Sequence, residues 1–131
     1  MIVKQISIFL ENRPGQLARA CRALAESNVN IATLSLADTT DFGIVRMIVD
    51  DHEKGYEVLS RAGFTVRQTE VVMAKVADRP GGMAELMEKL EKADVDIEYS
   101  YAYALGSGDS AILIFRFSDN ARAEAALAEK K

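Results

Sequence analysis

Near the N-terminus, apolar residues recur at every second position, so that Ile6, Ile8 and Leu10 fall on one side of the pattern. This period of two predicts a strand with one face on a hydrophobic core. From about Gly15 to Ser27 the apolar residues recur instead at helical spacing, which predicts an amphipathic helix. The chain therefore begins with a strand, a short loop and a helix.

The same two periods continue along the chain and predict two units with the element order βαββαβ. The predicted strands cover 2–10, 29–37, 43–50, 64–76, 96–105 and 110–117, and the predicted helices cover 15–27, 51–62, 81–93 and 119–129. The run 64–76 has no Pro or Gly to break it, so we expect it to end the first unit and begin the second. We therefore place one domain at 1–69 and another at 70–131, whose last strand is missing from the pattern.

The order of these elements predicts an α+β fold. It consists of two ferredoxin-like βαββαβ units in tandem, each an antiparallel sheet with its helices on one face. A unit of about 60 residues buries only about 60% of the surface of its unfolded chain. Such units generally need to pack together, and we expect a homodimer.

One short motif occurs twice, each time where a first strand passes into a first helix. The copies are Asn12-Arg13-Pro14-Gly15-Gln16-Leu17 and Asp78-Arg79-Pro80-Gly81-Gly82-Met83. Proline suits the first turn of a helix, and glycine lets a ligand approach the exposed amides there, where the helix dipole favours a carboxylate. A single copy would be interpreted as a plain strand-to-helix connector. Two aligned copies favour a ligand-binding loop.

Composition and charge exclude several classes of protein. The chain is 49% hydrophobic and 27% charged, which is an ordinary globular composition. Its longest apolar stretches are strand-length, against the roughly 20 residues that a transmembrane helix needs, and the N-terminus lacks the build of a signal peptide. The net charge of −4 argues against nucleic acid. We expect a cytoplasmic protein with neither nucleic-acid nor membrane partners.

The sequence offers no catalytic or metal-binding constellation. Cys21, the single cysteine, falls on the apolar side of a predicted helix, so we interpret it as a small buried hydrophobe. His52, the single histidine, has no Cys or second His nearby, and a capping or solvent role is expected. No phosphate loop and no nucleophile–histidine motif is present. We predict no enzyme, no cofactor and no metal site.

The duplicated motif is followed in each half by a second short match, Asn28-Val29-Asn30-Ile31 and Asp94-Val95-Asp96-Ile97. With these residues the chain resembles a tandem pair of ACT domains, the small-molecule-binding regulatory modules of many enzymes of amino-acid metabolism. It is similar in particular to small stand-alone pairs without a catalytic domain. In that family an amino acid sits at an interface between ACT units, held by the loop after the first strand and by the start of the second strand.

The resemblance implies one set of ligand-binding residues in each half. The first set is Asn12, Arg13, Pro14, Gly15, Gln16, Leu17, Asn30 and Ile31, and the weaker second set is Asp78, Arg79, Pro80, Gly81, Gly82, Met83, Asp96 and Ile97. Asp78 replaces the asparagine of the first copy, and an ionised carboxylate there would repel a ligand carboxylate. The two sites are therefore not expected to be equivalent.

Tyr99, Tyr101 and Tyr103 fall on one face of a predicted strand, and we expect that face to meet another unit or a ligand. The function predicted overall is a non-catalytic, amino-acid-binding regulatory module that acts on an unspecified enzyme or regulator. The alternative is a pure dimerisation or protein-interaction module without a ligand, in which the Arg-Pro-Gly turns are structural connectors.

Overall fold

The computed structural model describes residues 1–11, 13–38, 42–103 and 110–128. They form two compact units. The first unit is Lys4–Thr69, and the second combines Met1–Val3 with the described residues from Glu70 onward. The hydrophobic pattern did not indicate that Met1–Val3 would lie with the second half. Asn12 and the predicted turns at 39–41 and 106–109 lie outside the described residues.

The strands and helices follow the predicted order. They are β1 (Ile2–Glu11), α1 (Gln16–Glu26), β2 (Ile31–Asp38), β3 (Phe42–Val49), α2 (His52–Arg61), β4 (Thr65–Ala77), α3 (Gly82–Lys92), β5 (Ile97–Ala102), β6 (Ser110–Phe117) and α4 (Asn120–Ala128). The predicted ferredoxin-like α+β plan is confirmed. Of the two roles expected for His52, capping falls instead to Asp51, whose carboxylate accepts a hydrogen bond from the Lys54 N–H at 3.1 Å.

In the first unit the strands lie in the order β2–β3–β1–β4, and the pairs β1–β3 and β2–β3 are antiparallel. The alternation seen in the sequence turns Ile6, Ile8 and Leu10 toward the helices, where all three are buried. Leu24 from α1 and Leu59 from α2 are fully buried in the same cluster. Both helices therefore cover one face of the sheet, as predicted.

In the second unit the order is β4–β6–β5, again antiparallel. Its core contains Val72 from β4, Leu90 from α3, Ala123 from α4 and the stacked rings of Phe115 and Phe117. This unit therefore repeats the arrangement of the first, with two helices on one face of its strands.

The N-terminal residues lie on the other side of β4 from β6. Met1 and Met73 exchange two backbone hydrogen bonds, with the Met73 N–H donating over 2.8 Å and the Met1 ammonium over 3.1 Å. A reciprocal pair of this kind is the mark of antiparallel strands. In the first unit the last strand lies beside the first one in the same way. Met1–Val3 thus occupies the place of a last strand in the second unit.

The tyrosine stripe lies on the face of the second unit opposite its helices. Tyr99 pairs across the sheet with Arg116 and Tyr101 with Ile114, and Ile114 is not part of the helix-covered core. Tyr99, Tyr101 and Tyr103 are all half-buried. None of the three rings is therefore wholly in solvent.

Candidate functional site

The first Arg-Pro-Gly turn joins β1 to α1. The Arg13 N–H donates to the Glu11 carbonyl at 2.8 Å, and Gly15 then caps the helix in a left-handed conformation with φ of 89°. Only glycine adopts that conformation without strain, which explains this residue. A Cβ built on Gly15 would meet nothing within 4 Å. The start of α1 is therefore open on this side.

A cavity of about 260 Å³ lies at this turn. Its lining comes from the end of β1, the turn, the first residues of α1, and β2 and β3: Leu10, Glu11, Arg13, Gly15, Gln16, Leu17, Ala18, Leu36 and Gly43. Four predicted site residues, Arg13, Gly15, Gln16 and Leu17, are thus brought together here. Pro14 is exposed in the turn and does not line the cavity, and Asn12 lies outside the described residues.

Sequence inspection missed Leu36 and Gly43, which form the far wall of this cavity. Gly43 lies opposite Leu10 in the pairing of β1 with β3, so a position without a side chain stands beside the end of β1. A Cβ on Gly43 would come within 3.1 Å of a methyl carbon of Leu36. The signal in the sequence was a lone glycine in a strand pattern, which often marks a close approach.

The polar groups at the cavity can serve a zwitterion. The Leu17 and Ala18 N–H groups belong to the first turn of α1 and have no partner among the residues described. The helix has no side-chain cap and no acidic residue in that turn. The Glu11 carboxylate accepts from Nε of Arg13 at 3.0 Å, and both side chains are exposed. Free amides and an accessible carboxylate therefore lie in the lining of one cavity.

The second Arg-Pro-Gly turn has the same backbone but a more crowded helix start. Gly81 caps α3 with φ of 88°, and Gly82 stands where the first copy has Gln16. A Cβ on Gly82 would overlap the carbonyl oxygen of Ala77. Both Glu85 carboxylate oxygens accept from Nη2 of Arg79 at 2.9 Å, so an acidic side chain of the chain itself already stands in the first turn of this helix. Asp78 and Met83 are exposed.

The predicted residues at the starts of the second strands do not line these turns. The Asn30 N–H donates to Oδ1 of Asp50 at 3.0 Å, and Ile31 packs partly buried on the core of the first unit. In the second unit the Asp96 N–H donates to the hydroxyl of Ser118 at 3.2 Å, and Ile97 is 40% exposed.

Other candidate chemistry is sparse in the part of the chain that the structure describes. It contains no group of three or more His, Cys, Asp or Glu side chains that could hold a metal ion. Cys21 is a free thiol and half-buried, less enclosed than the buried position expected. No described helix is long and apolar enough to cross a membrane.

Two βαββαβ units in tandem, with an Arg-Pro-Gly turn at the same junction of each, define a paired ferredoxin-like domain. Residues 1–131 match the family model for the ACT domain pair, and the chain belongs to that family of regulatory modules.

Solved structures agree with this assignment. Protein BT0572 from Bacteroides thetaiotaomicron is similar, with 36% identity, a TM-score of 0.90, and coverage of 97% of this chain and 87% of that one. The ligand-free regulatory subunit of aspartate kinase from Thermus thermophilus is similar at 18% identity, with a TM-score of 0.68 and coverage of 97% and 93%. The latter likeness concerns the fold. No curated protein sequence matches the chain.

Proposed function

We propose that the chain is a non-catalytic regulatory module that binds an amino acid in the cavity beside the first Arg-Pro-Gly turn. The observation that carries this proposal is the coincidence, at one helix start, of a cavity, an open Gly15 and amides that have no partner among the described residues. A backbone site of this kind suits a carboxylate, because the N–H groups and the helix dipole both favour negative charge.

The other groups in the lining suit the rest of an amino acid. The Glu11 carboxylate accepts hydrogen bonds and can hold the ammonium, while Leu10 and Leu36 offer apolar surface to a side chain. Asn12, which carries both a donor and an acceptor, remains part of the proposed site on sequence grounds alone. The turn of the proposed site consists of Arg13, Pro14, Gly15, Gln16 and Leu17.

A second copy of the chain would complete this site in a homodimer. Leu36 lines the cavity, so a chain packed beside it would add a further wall. Leu34 and Leu36 lie on β2, an edge strand of its unit, and are 37% and 53% exposed. Covering this edge would bury both leucines beside the ligand. The interface would also be the place for Asn30 and Ile31.

The second set of predicted residues, Asp78, Arg79, Pro80, Gly81, Gly82, Met83, Asp96 and Ile97, is the weaker site in this proposal. Its helix start already has the Glu85 carboxylate in the first turn, and the negative charge of Asp78 opposes a second carboxylate. We therefore expect one occupied site in each chain.

The family supports a regulatory role, and we propose a cytoplasmic enzyme or regulator as the target. Regulatory subunits of aspartate kinase share the fold, which makes an enzyme of amino-acid metabolism a reasonable class to test. The exposed Leu36 and Phe42 favour a second hypothesis, a protein-interaction module without a ligand.

A thermal-shift panel of the twenty amino acids tests the proposal. A ligand present at one hundred times its dissociation constant stabilises the folded state by about 2.7 kcal/mol. Ala18 lines the cavity and is exposed, so Ala18→Leu should fill the site and abolish the shift. Ala84 holds the matching position in the second copy, and Ala84→Leu should leave the shift intact. If no amino acid shifts the melting temperature and the protein is a stable dimer, the hypothesis of an interaction module without a ligand is favoured instead.

A further inference from the structure

A second and larger opening lies in the second unit, and no residue of either Arg-Pro-Gly turn lines it. We call it the β4 groove, and its volume is about 540 Å³. It runs along β4 between α3 and α4, lined by Met1, Val72, Met73, Ala74, Lys75, Leu86, Lys89, Ala121, Glu124, Ala125, Leu127 and Ala128. Because Val72 and Ala74 face the helices and Met73 and Lys75 face away from them, the groove lies at the edge of β4.

The first unit shows what belongs at such an edge. There the chain leaves α2 through Gly63 and enters β4, with Phe64 8% exposed and Val66 packed on the core. Together they help to cover the core of the first unit, in which Leu59 is fully buried. The first unit therefore fills its last-strand position with two apolar side chains at alternate places.

In the second unit Met1–Val3 take part of the matching position, and the β4 groove lies in the rest of it. Leu127 follows the buried Ala123 by four residues, as Leu59 follows the buried Gly55, yet Leu127 is only partly buried. Val72 and Ala74 match Ile6 and Ile8 in the repeat, and they line the groove as well. The groove is thus the volume that Phe64 and Val66 fill in the first unit.

The backbone of β4 also has an unfilled place here. Met1 pairs with Met73 on the side of β4 away from β6. Backbone groups of alternate residues point to the same side of a strand. The Lys75 N–H and carbonyl, two residues after Met73, therefore point to the side of β4 on which Met1 pairs. Neither group has a partner in the part of the chain that is described. An added strand could pair with both.

The charges around the groove favour an acidic ligand over a basic one. The Met1 ammonium lies 3.0 Å from the Glu124 carboxylate, so these two charges offset each other. Lys75 and Lys89 remain, and both line the groove. The rim is therefore positive, and an acidic segment fits it better than a basic one.

We propose that the β4 groove binds an extended segment of a partner protein, which adds to β4 as a strand. The segment places two apolar side chains at alternate positions in the groove, following the pattern of Phe64 and Val66, and carries acidic residues beside them. Main-chain pairing with Lys75 and pockets for alternate side chains are the two components of recognition by strand addition. This site is separate from the proposed amino-acid site.

The test uses the full chain and the fluorescein-labelled peptide GFTVEE, which combines that apolar pattern with an acidic flank. Saturable binding by fluorescence anisotropy is expected, and binding should weaken at least tenfold for GSTSEE and for GFTVKK. Ala125→Phe, which fills the groove from the exposed side of α4, should weaken binding at least tenfold. Ala84→Phe, an exposed change on α3 outside the groove lining, should have no effect.

Two further measurements distinguish strand addition from nonspecific binding of the peptide. Bound GFTVEE should slow hydrogen exchange of the Lys75 amide at least tenfold, and the double change Lys75→Glu with Lys89→Glu should reverse the preference between GFTVEE and GFTVKK. The proposal is overturned by absence of saturable binding, by binding that Ala125→Phe leaves unchanged, or by an unprotected Lys75 amide. A wild-type dimer that dissociates in Ala125→Phe would assign the groove to a second copy and also overturn it.

Discussion

The start of α3 leaves no space for a side chain at Gly82, and we predict that Gly82→Ala destabilises the protein by about 2 kcal/mol. The added Cβ would overlap the Ala77 carbonyl oxygen and lie 3.0 Å from its carbonyl carbon and 3.3 Å from its Cβ. Two of these three atoms are backbone, so the strand end or the helix start must move. Overpacking of this kind costs about 1–3 kcal/mol. The better helix propensity of alanine, worth up to about 1 kcal/mol, offsets only part of it.

Urea unfolding monitored by circular dichroism measures this change, with Gln16→Ala as the matched control. Gln16 is half-buried at the equivalent helix start and already carries a Cβ, so its truncation should cost no more than about 0.5 kcal/mol. In thermal unfolding the Gly82 variant should melt about 8 °C lower, at roughly 4 °C per kcal/mol for a chain of this size. Equal midpoints for Gly82→Ala and the wild type would refute the claim that the second turn is closed by backbone contact.

Two further stability predictions follow from burial and capping. Leu59→Ala should cost about 3 kcal/mol because the side chain is fully buried, whereas Leu127→Ala should cost about 1 kcal/mol because the groove already exposes part of it. Equal losses in urea unfolding would contradict the partly filled position in the second unit. Asp51→Ala should cost about 1 kcal/mol by removing the cap that accepts from the Lys54 N–H, and Asp51→Asn should restore most of it. An alanine variant as stable as the asparagine variant would speak against this cap.

Hydrophobic periodicity was enough to predict the order of elements, because burial of one face requires it. Ile6, Ile8 and Leu10 alternate in the sequence and are all buried in the structure. The left-handed Gly15 and Gly81 are likewise local features, and glycine at a helix start was visible in both copies of the motif. What depends on neighbouring residues in the chain could therefore be predicted.

Features that depend on pairing between distant segments of the chain could not be predicted from the sequence. The cavity at the first turn exists because register brings Gly43 opposite Leu10 and places Leu36 nearby, and nothing within the motif determines that register. The pairing of Met1 with Met73 is a similar case, since the pattern predicted a missing strand but not which residues would take its place.

The two copies of the motif differ most in the charge at the helix start. Position 19 in the first copy is arginine, which donates to the Ala62 carbonyl at 2.7 Å and stacks 4.1 Å from the centre of the Phe64 ring. The repeat places Glu85 at this position in the second copy, and it binds Arg79.

A helix start favours an anion in either copy, but only the second copy has an anionic side chain in its own first turn. In the proposed function the ligand carboxylate supplies the anion at the first helix start, whereas Glu85 of the chain itself supplies it at the second. Placing an anion at the first helix start by Arg19→Glu is therefore expected to weaken amino-acid binding there, with the Arg-Pro-Gly residues left unchanged.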